Sequence, residues 1–113
     1  LGKREGAEPD YLKIVEAMKA KGRRPVDYFR MFYGDTAING SLSGTKCGLD
    51  FFGCEHVLFG TDCPFDPEGG PLFIRDIIKV METLDLSDRD REMIYNGNAT
   101  RMLRLGQTPH YHK

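Results

Sequence analysis

The chain has 113 residues, 40% of them hydrophobic and 29% charged, with a formal net charge of −1. A balance so near neutrality makes no electrostatic case for nucleic acid or an anionic membrane as partner, and no apolar run approaches the roughly 20 residues that span a bilayer. Three cysteines without a Cys-x-x-Cys pair form neither a disulfide framework nor a structural zinc pattern, so a reduced, cytoplasmic protein is the expectation.

Residues 1–8 are charged and aperiodic and read as a flexible lead-in. Pro9 and Asp10 open a helix whose apolar stripe is Tyr11, Leu12, Ile14, Val15 and Met18, with Gly22 as its C-cap. The basic residues Lys19, Lys21, Arg23 and Arg24 suit the C-terminal end of that helix and read as a solvated cluster. Pro25 starts a short helical piece, Val26 to Arg30, which delivers the chain to an expected strand, Met31–Gly34. Asp35 and Thr36 stand at the tip of that strand, Asp35 as a turn cap or as an orienter of a neighbouring group. Small residues, Ala37 to Gly44, lead into a helix over Ser43–Phe52 with Leu49, Phe51 and Phe52 inward. Cys47 and Cys54 read as buried, inert thiols.

His56 to Phe65 is the stretch that organises the rest. Val57, Leu58 and Phe59 form a short buried-strand pattern, predicted to run Val57–Thr61. Asp62 follows where strand becomes loop, and Pro64 forbids a continued ladder. His56 enters at the opposite end of the strand. An acid at the C-terminal tip of a buried strand is where α/β folds place chemistry; spacing alone slightly favours a plain turn cap. The loop Asp66–Pro71 then opens the strongest helix in the chain, with Phe73, Ile74, Ile77, Ile78, Met81 and Leu84 on one face and Pro71 in its first turn. Ser87 caps the next helix, with Asp88 and Asp90 in its first turn and Met93 and Ile94 apolar. Gly97 is expected to break that helix and Asn98 to cap a last short turn carrying Met102 and Leu103. Residues 106–113 read as a flexible tail, and His110-Tyr111-His112 as part of it, not as a metal ligand pair.

Three pieces, Phe32-Tyr33-Gly34-Asp35-Thr36-Ala37, Leu58-Phe59-Gly60-Thr61-Asp62-Cys63-Pro64-Phe65 and Ile94-Tyr95-Asn96-Gly97-Asn98-Ala99-Thr100-Arg101-Met102-Leu103, come in order over roughly residues 25 to 105. Together they resemble the last two strands and the closing helix of the amidohydrolase-related metal-dependent hydrolases and decarboxylases, the branch that includes aminocarboxymuconate-semialdehyde decarboxylase. The resemblance implies an α/β fold, specifically the C-terminal portion of a (β/α)₈ barrel: about the last two βα units plus terminal helices, with all of 1–113 belonging to that one domain.

It also implies an enzyme that hydrolyses or decarboxylates a small carboxylated or cyclic substrate. The cofactor implied is a divalent metal ion, zinc first and manganese second, which polarises a substrate oxygen and acidifies water. Its remaining ligands would come from earlier strands absent from this sequence. Asp62 then carries the site as metal ligand and proton acceptor, with Cys63, Pro64 and Phe65 as the substrate wall and Asp35 orienting a group nearer the metal. Cys63 departs from the family pattern, which places Tyr or Trp there, and leaves the substrate class open.

A complete barrel needs about 250 residues, so the isolated chain is expected to be inactive and to need the remainder of the barrel as partner. Its two parallel strands would otherwise expose apolar faces and open edges, and the expectation for the chain alone is a homo-oligomer. The competing readings are a non-catalytic structural or interaction fragment, and a metal-independent lactonase-like relative.

Overall fold

The computed structural model describes residues 8–106, and the chain divides into two compact units, Leu1–Phe32 and Tyr33–Lys113. The expected lead-in and the His110-Tyr111-His112 segment lie outside or almost wholly outside the described residues.

In the first unit α1 spans Glu8–Ala20. It stops where expected: Gly22 takes φ +69°, a conformation that costs glycine nothing, and Arg23 N–H returns to the Met18 carbonyl at 3.0 Å. Helix α2, Pro25–Phe29, follows. Its entry is tied by Asp27, whose carboxylate accepts the Arg24 backbone N–H at 2.8 Å and pairs with the Arg24 guanidinium at 3.1 Å. Those contacts hold the Asp27 carboxyl below its ordinary range.

The strand expected from Met31 is a correction. Met31 and Phe32 donate to the carbonyls of Tyr28 and Phe29, so α2 continues as a tightening turn through them. The first strand, β1, is only Gly34–Asp35. It pairs in parallel with β2, Val57–Leu58, in the register Gly34↔Val57 and Asp35↔Leu58. The parallel pairing is the one the sequence predicts; both strands are shorter. At β2 the reason is visible: Phe59 N–H donates sideways to the Ile94 carbonyl, and Gly60 bonds to the side chain of Thr36 in place of a backbone partner. At Gly34 a Cβ would sit 3.0 Å from the Phe52 ring, so the strand needs glycine to lie this close to the helix.

That helix, α3, runs Leu42–Phe52 and starts one residue before the prediction. Ser41 is its cap, its hydroxyl accepting Gly44 N–H. Leu49 and Phe52 pack against the core while Cys47 is exposed, which corrects the expectation of a buried thiol. Cys54, at the start of the 3₁₀ turn Cys54–His56, is half-buried, and burial pushes its thiol pKa up.

Helix α4, Pro71–Thr83, begins with proline as expected. Ile77, Val80, Met81 and Leu84 are its buried face, the i, i+3, i+4, i+7 set. Ile78 lies one residue round the helix and is exposed at 40%. The core joins Val57 of β2 to Val80, Met81, Leu84 and Ile94. Ser87 caps α5, Asp88–Glu92, accepting Asp90 N–H.

The break expected at Gly97 does not occur. Met93–Gly97 form a π-helical turn that runs straight into α6, Asn98–Met102, with Gly97 and Asn98 both in right-handed helical geometry. Asn98 caps nothing. It is fully buried, and its amide donates to the carbonyls of Cys54 at 2.6 Å and Val57 at 2.9 Å. Arg101 adds a bond to the Glu55 carbonyl at 2.9 Å and one to the Asn98 side-chain oxygen at 3.2 Å. Met102 and Leu103 end exposed.

Candidate active site

The tips of β1 and β2 lie side by side, and the chemistry-bearing residues of the sequence sit on the two loops that leave them. Beyond Leu58 the chain passes through Phe59, Gly60 and Thr61 to Asp62, which adopts φ +60°. Aspartate is one of the few residues that visits this left-handed region with small cost, and a non-glycine residue held there at a strand end is an observation worth carrying toward function. Two backbone bonds close the turn around it: Phe65 N–H donates to the Asp62 carbonyl at 2.9 Å, and Cys63 N–H donates to the Thr61 hydroxyl at 3.3 Å.

The Asp62 side chain is exposed, and its carboxylate has no hydrogen bond or ion pair among the described residues. A turn cap of the ordinary kind would show a side-chain bond to a nearby N–H. Asp35 shows one: its Oδ1 accepts Ala37 N–H at 2.9 Å. The two strand-tip acids therefore differ, one engaged in its own turn and the other presented outward. Asp35 nonetheless lies against the other tip, since a Cβ placed on Gly60 would lie 3.4 Å from the Asp35 Cβ and Cγ.

Cys63, Pro64 and Phe65 share the Asp62 loop and are exposed, Phe65 at 77%. Cys63 lies over Gly70, where a Cβ would come within 2.7 Å of its Sγ. Two shallow surface depressions flank α4, one lined by Gly40, Leu42, Asp76, Lys79, Val80 and Thr83 and the other around Lys46, Asp50 and Asp85. Neither includes Asp62.

Two residues of this region carry more than sequence reasoning gave them. Asp66 is buried, and its carboxylate accepts N–H bonds from Glu68 at 2.7 Å and Phe73 at 3.1 Å. Burial pushes its pKa up, but the surrounding N–H groups of Gly70, Phe73, Glu68 and Leu72 outweigh that and hold it below the ordinary carboxylate value. Thr36, buried at 2%, bonds to Gly60; no local pattern announces a contact 24 residues away.

For a divalent cation, the donor chemistry of Asp62 fits: it is a hard, unengaged carboxylate on the loop that leaves β2. Among the described residues no group of three or more His, Cys, Asp and Glu is arranged to hold a metal ion, and a catalytic zinc site uses about three protein ligands. Asp62 by itself falls short of such a set.

The amidohydrolase family's sequence model matches residues 6–105. No curated protein matches the chain significantly. Among solved structures, the 5-carboxyvanillate decarboxylase LigW from Sphingomonas paucimobilis is similar, with a TM-score of 0.58 and 22% sequence identity over 87% of this chain. The chain spans 31% of that protein's length, and at this identity the likeness speaks for the fold. No helix of the described residues is long and apolar enough to cross a membrane.

Proposed function

The chain belongs to the amidohydrolase family, whose members are commonly metal-dependent, and from that premise we propose that it is the C-terminal part of a (β/α)₈ barrel enzyme. The reaction we assign to the complete protein is metal-dependent decarboxylation or hydrolysis of a small carboxylated or cyclic substrate. The observation that carries this is Asp62, an unengaged carboxylate in left-handed geometry on the loop that leaves the C-terminal end of a parallel strand. Strand tips at that end of a barrel are where catalytic groups converge.

Within the proposal, Asp62 would hold the cation and serve as a proton acceptor, since a carboxylate offers two oxygens. The cation, zinc or manganese, would supply Lewis acidity toward a substrate oxygen. Phe65, Pro64 and Cys63 form one wall of the substrate site, with Phe65 the largest apolar surface available to a ring. Asp35, its Oδ1 committed to Ala37, orients the loop and not the metal. The other ligands and the rest of the wall come from the remainder of the barrel. That part also covers the open edges of the β1–β2 pair.

The test is the complete protein assayed for CO₂ release from 5-carboxyvanillate and related ring carboxylates, and for hydrolysis of small cyclic amides and esters, with zinc or manganese. Asp62→Asn is expected to lower turnover about 10²–10⁴-fold with melting unchanged. Turnover near that of the unaltered protein, at equal metal content, removes Asp62 from the mechanism.

A further inference from the structure

We infer that Thr36 is a positioning residue for Asp62, an inference that rests on the reading of Asp62 as the reacting carboxylate. The parallel ladder gives Gly34↔Val57 and Asp35↔Leu58, followed by one last backbone bond from Thr36 N–H to the Leu58 carbonyl at 3.0 Å. Past that point the side chain of Thr36 takes over. Its hydroxyl donates to the Gly60 carbonyl at 2.8 Å and accepts the Gly60 N–H at 3.0 Å.

One buried hydroxyl therefore satisfies both backbone groups of Gly60. Those two groups belong to different peptide planes, one on each side of the residue, so both planes are fixed two residues ahead of Asp62.

Downstream, the turn closes on Asp62's own carbonyl through Phe65 N–H. The Asp62 side chain has no partner of its own among the described residues, so the direction of its carboxylate is set through the backbone. The fixed point of that backbone nearest upstream is Gly60, and what fixes it is Thr36. The hydroxyl has spent its one donor and the acceptor it needs on this link, so Thr36 acts on the reaction through Asp62.

The experiment uses the complete protein in four forms: Thr36→Val, Thr36→Ser, Asp62→Asn and the Thr36→Val/Asp62→Asn double variant. Three quantities are read: zinc retained per chain after dialysis, turnover on the ring carboxylates, and melting. Valine keeps the shape and loses the hydroxyl; serine keeps the hydroxyl.

Thr36→Val is expected to lose about 10–100-fold in zinc affinity or turnover, the usual effect of removing a group that orients a ligand. Thr36→Ser restores both. In the Asp62→Asn background, adding Thr36→Val changes neither any further. Zinc retention and turnover at the unaltered level in Thr36→Val, with Asp62→Asn impaired, overturns the inference and leaves the Asp62 reading standing. An equal further loss in the Asp62→Asn background also overturns it, by marking Thr36 as a general support. Unimpaired Asp62→Asn overturns the Asp62 reading itself, and Thr36's role with it. If Thr36→Val fails to fold, Thr36→Cys replaces it. That weaker hydrogen-bonding group is expected to lower zinc retention while melting holds, and full retention counts against the inference.

Discussion

The two ends of β2 are held by different means. At its start, the carbonyls of Cys54, Glu55 and Val57 are taken by two side chains of one helix, Asn98 and Arg101, in a setting where Asn98 is fully buried. At its far end one hydroxyl, that of Thr36, holds Gly60, and beyond it the chain is exposed through Asp62, Cys63, Pro64 and Phe65. The first end spends polar groups on fixing the strand; the second leaves a carboxylate unspent. Buried polar networks that are fully satisfied rigidify what they hold, and a reacting group gains from a rigid element behind it. With Asp62 as the proposed reacting group, the contrast would separate support from chemistry along one stretch of chain.

The largest expected effect separates the two ends by readout. Asp62→Asn should abolish most turnover and leave melting alone. Asn98→Ala should do the reverse, costing about 2–4 kcal/mol of stability, because two carbonyls lose a partner and at least one is buried. Chemical denaturation of both variants beside their turnover numbers checks this. If Asn98→Ala is as stable as the unaltered protein, the buried end is not what anchors β2.

What could be read from the sequence divides along the same line. Helix α4 was legible because its buried face recurs within the helix itself; Ile78 was placed on that face and is exposed, and buried Val80 was left off it. The parallel pairing followed from a strand–helix–strand order, and Asp62 from its place after a short apolar run. Asn98 was not legible. Asparagine after glycine reads locally as a break and a cap, whereas its partners lie 44 and 41 residues away and keep the helix continuous through the π-turn. Thr36 was placed at the strand tip but its role was hidden for the same reason. Phe32 and Tyr33 are residue types that favour strands, yet a strand needs a neighbour in register, and theirs begins only opposite Gly34. Where the deciding partner is distant, residue type alone misleads.

A middle-sized effect probes how the exposed loop is kept in place. Asp66 ties residues 68 to 73 together at the start of α4, and Asp66→Asn, which keeps one acceptor oxygen and sets an amide against N–H groups, should cost about 1–2 kcal/mol. Its carboxyl pKa is depressed in the folded chain. The stability it contributes is therefore present above the ordinary carboxylate value of about 4 and is lost as pH falls through the lower folded value. Melting the unaltered protein below pH 4 should show that loss, and Asp66→Asn should show less of it. Parallel acid profiles for the two proteins would mean that the loop's anchor lies elsewhere, and that the exposed end is looser than the contrast supposes.

The smallest effect concerns Phe59, just past β2 and between the two held points. Tyr95 packs its ring on Phe59 at 5.1 Å and donates its hydroxyl to exposed Glu82 at 2.8 Å. If packing holds this stretch, Tyr95→Phe keeps the ring contact and should cost only about 0.5 kcal/mol, the value of one half-exposed hydrogen bond. The phenol's pKa is pushed up to about 12, by burial first and then by the bond to Glu82 and its charge. A folded value above the ordinary one of about 10 means that this contribution is whole below pH 10 and fades as pH rises through 12. Denaturant midpoints between pH 9 and 12 should fall for the unaltered protein more than for Tyr95→Phe, so the two curves converge or cross at the alkaline end. A loss of about 2 kcal/mol or more at pH 7 would instead make the Glu82 bond a structural tie. The stretch just past β2 would then be held as the buried end is, by polar side chains, and not by the ring of Tyr95 on Phe59.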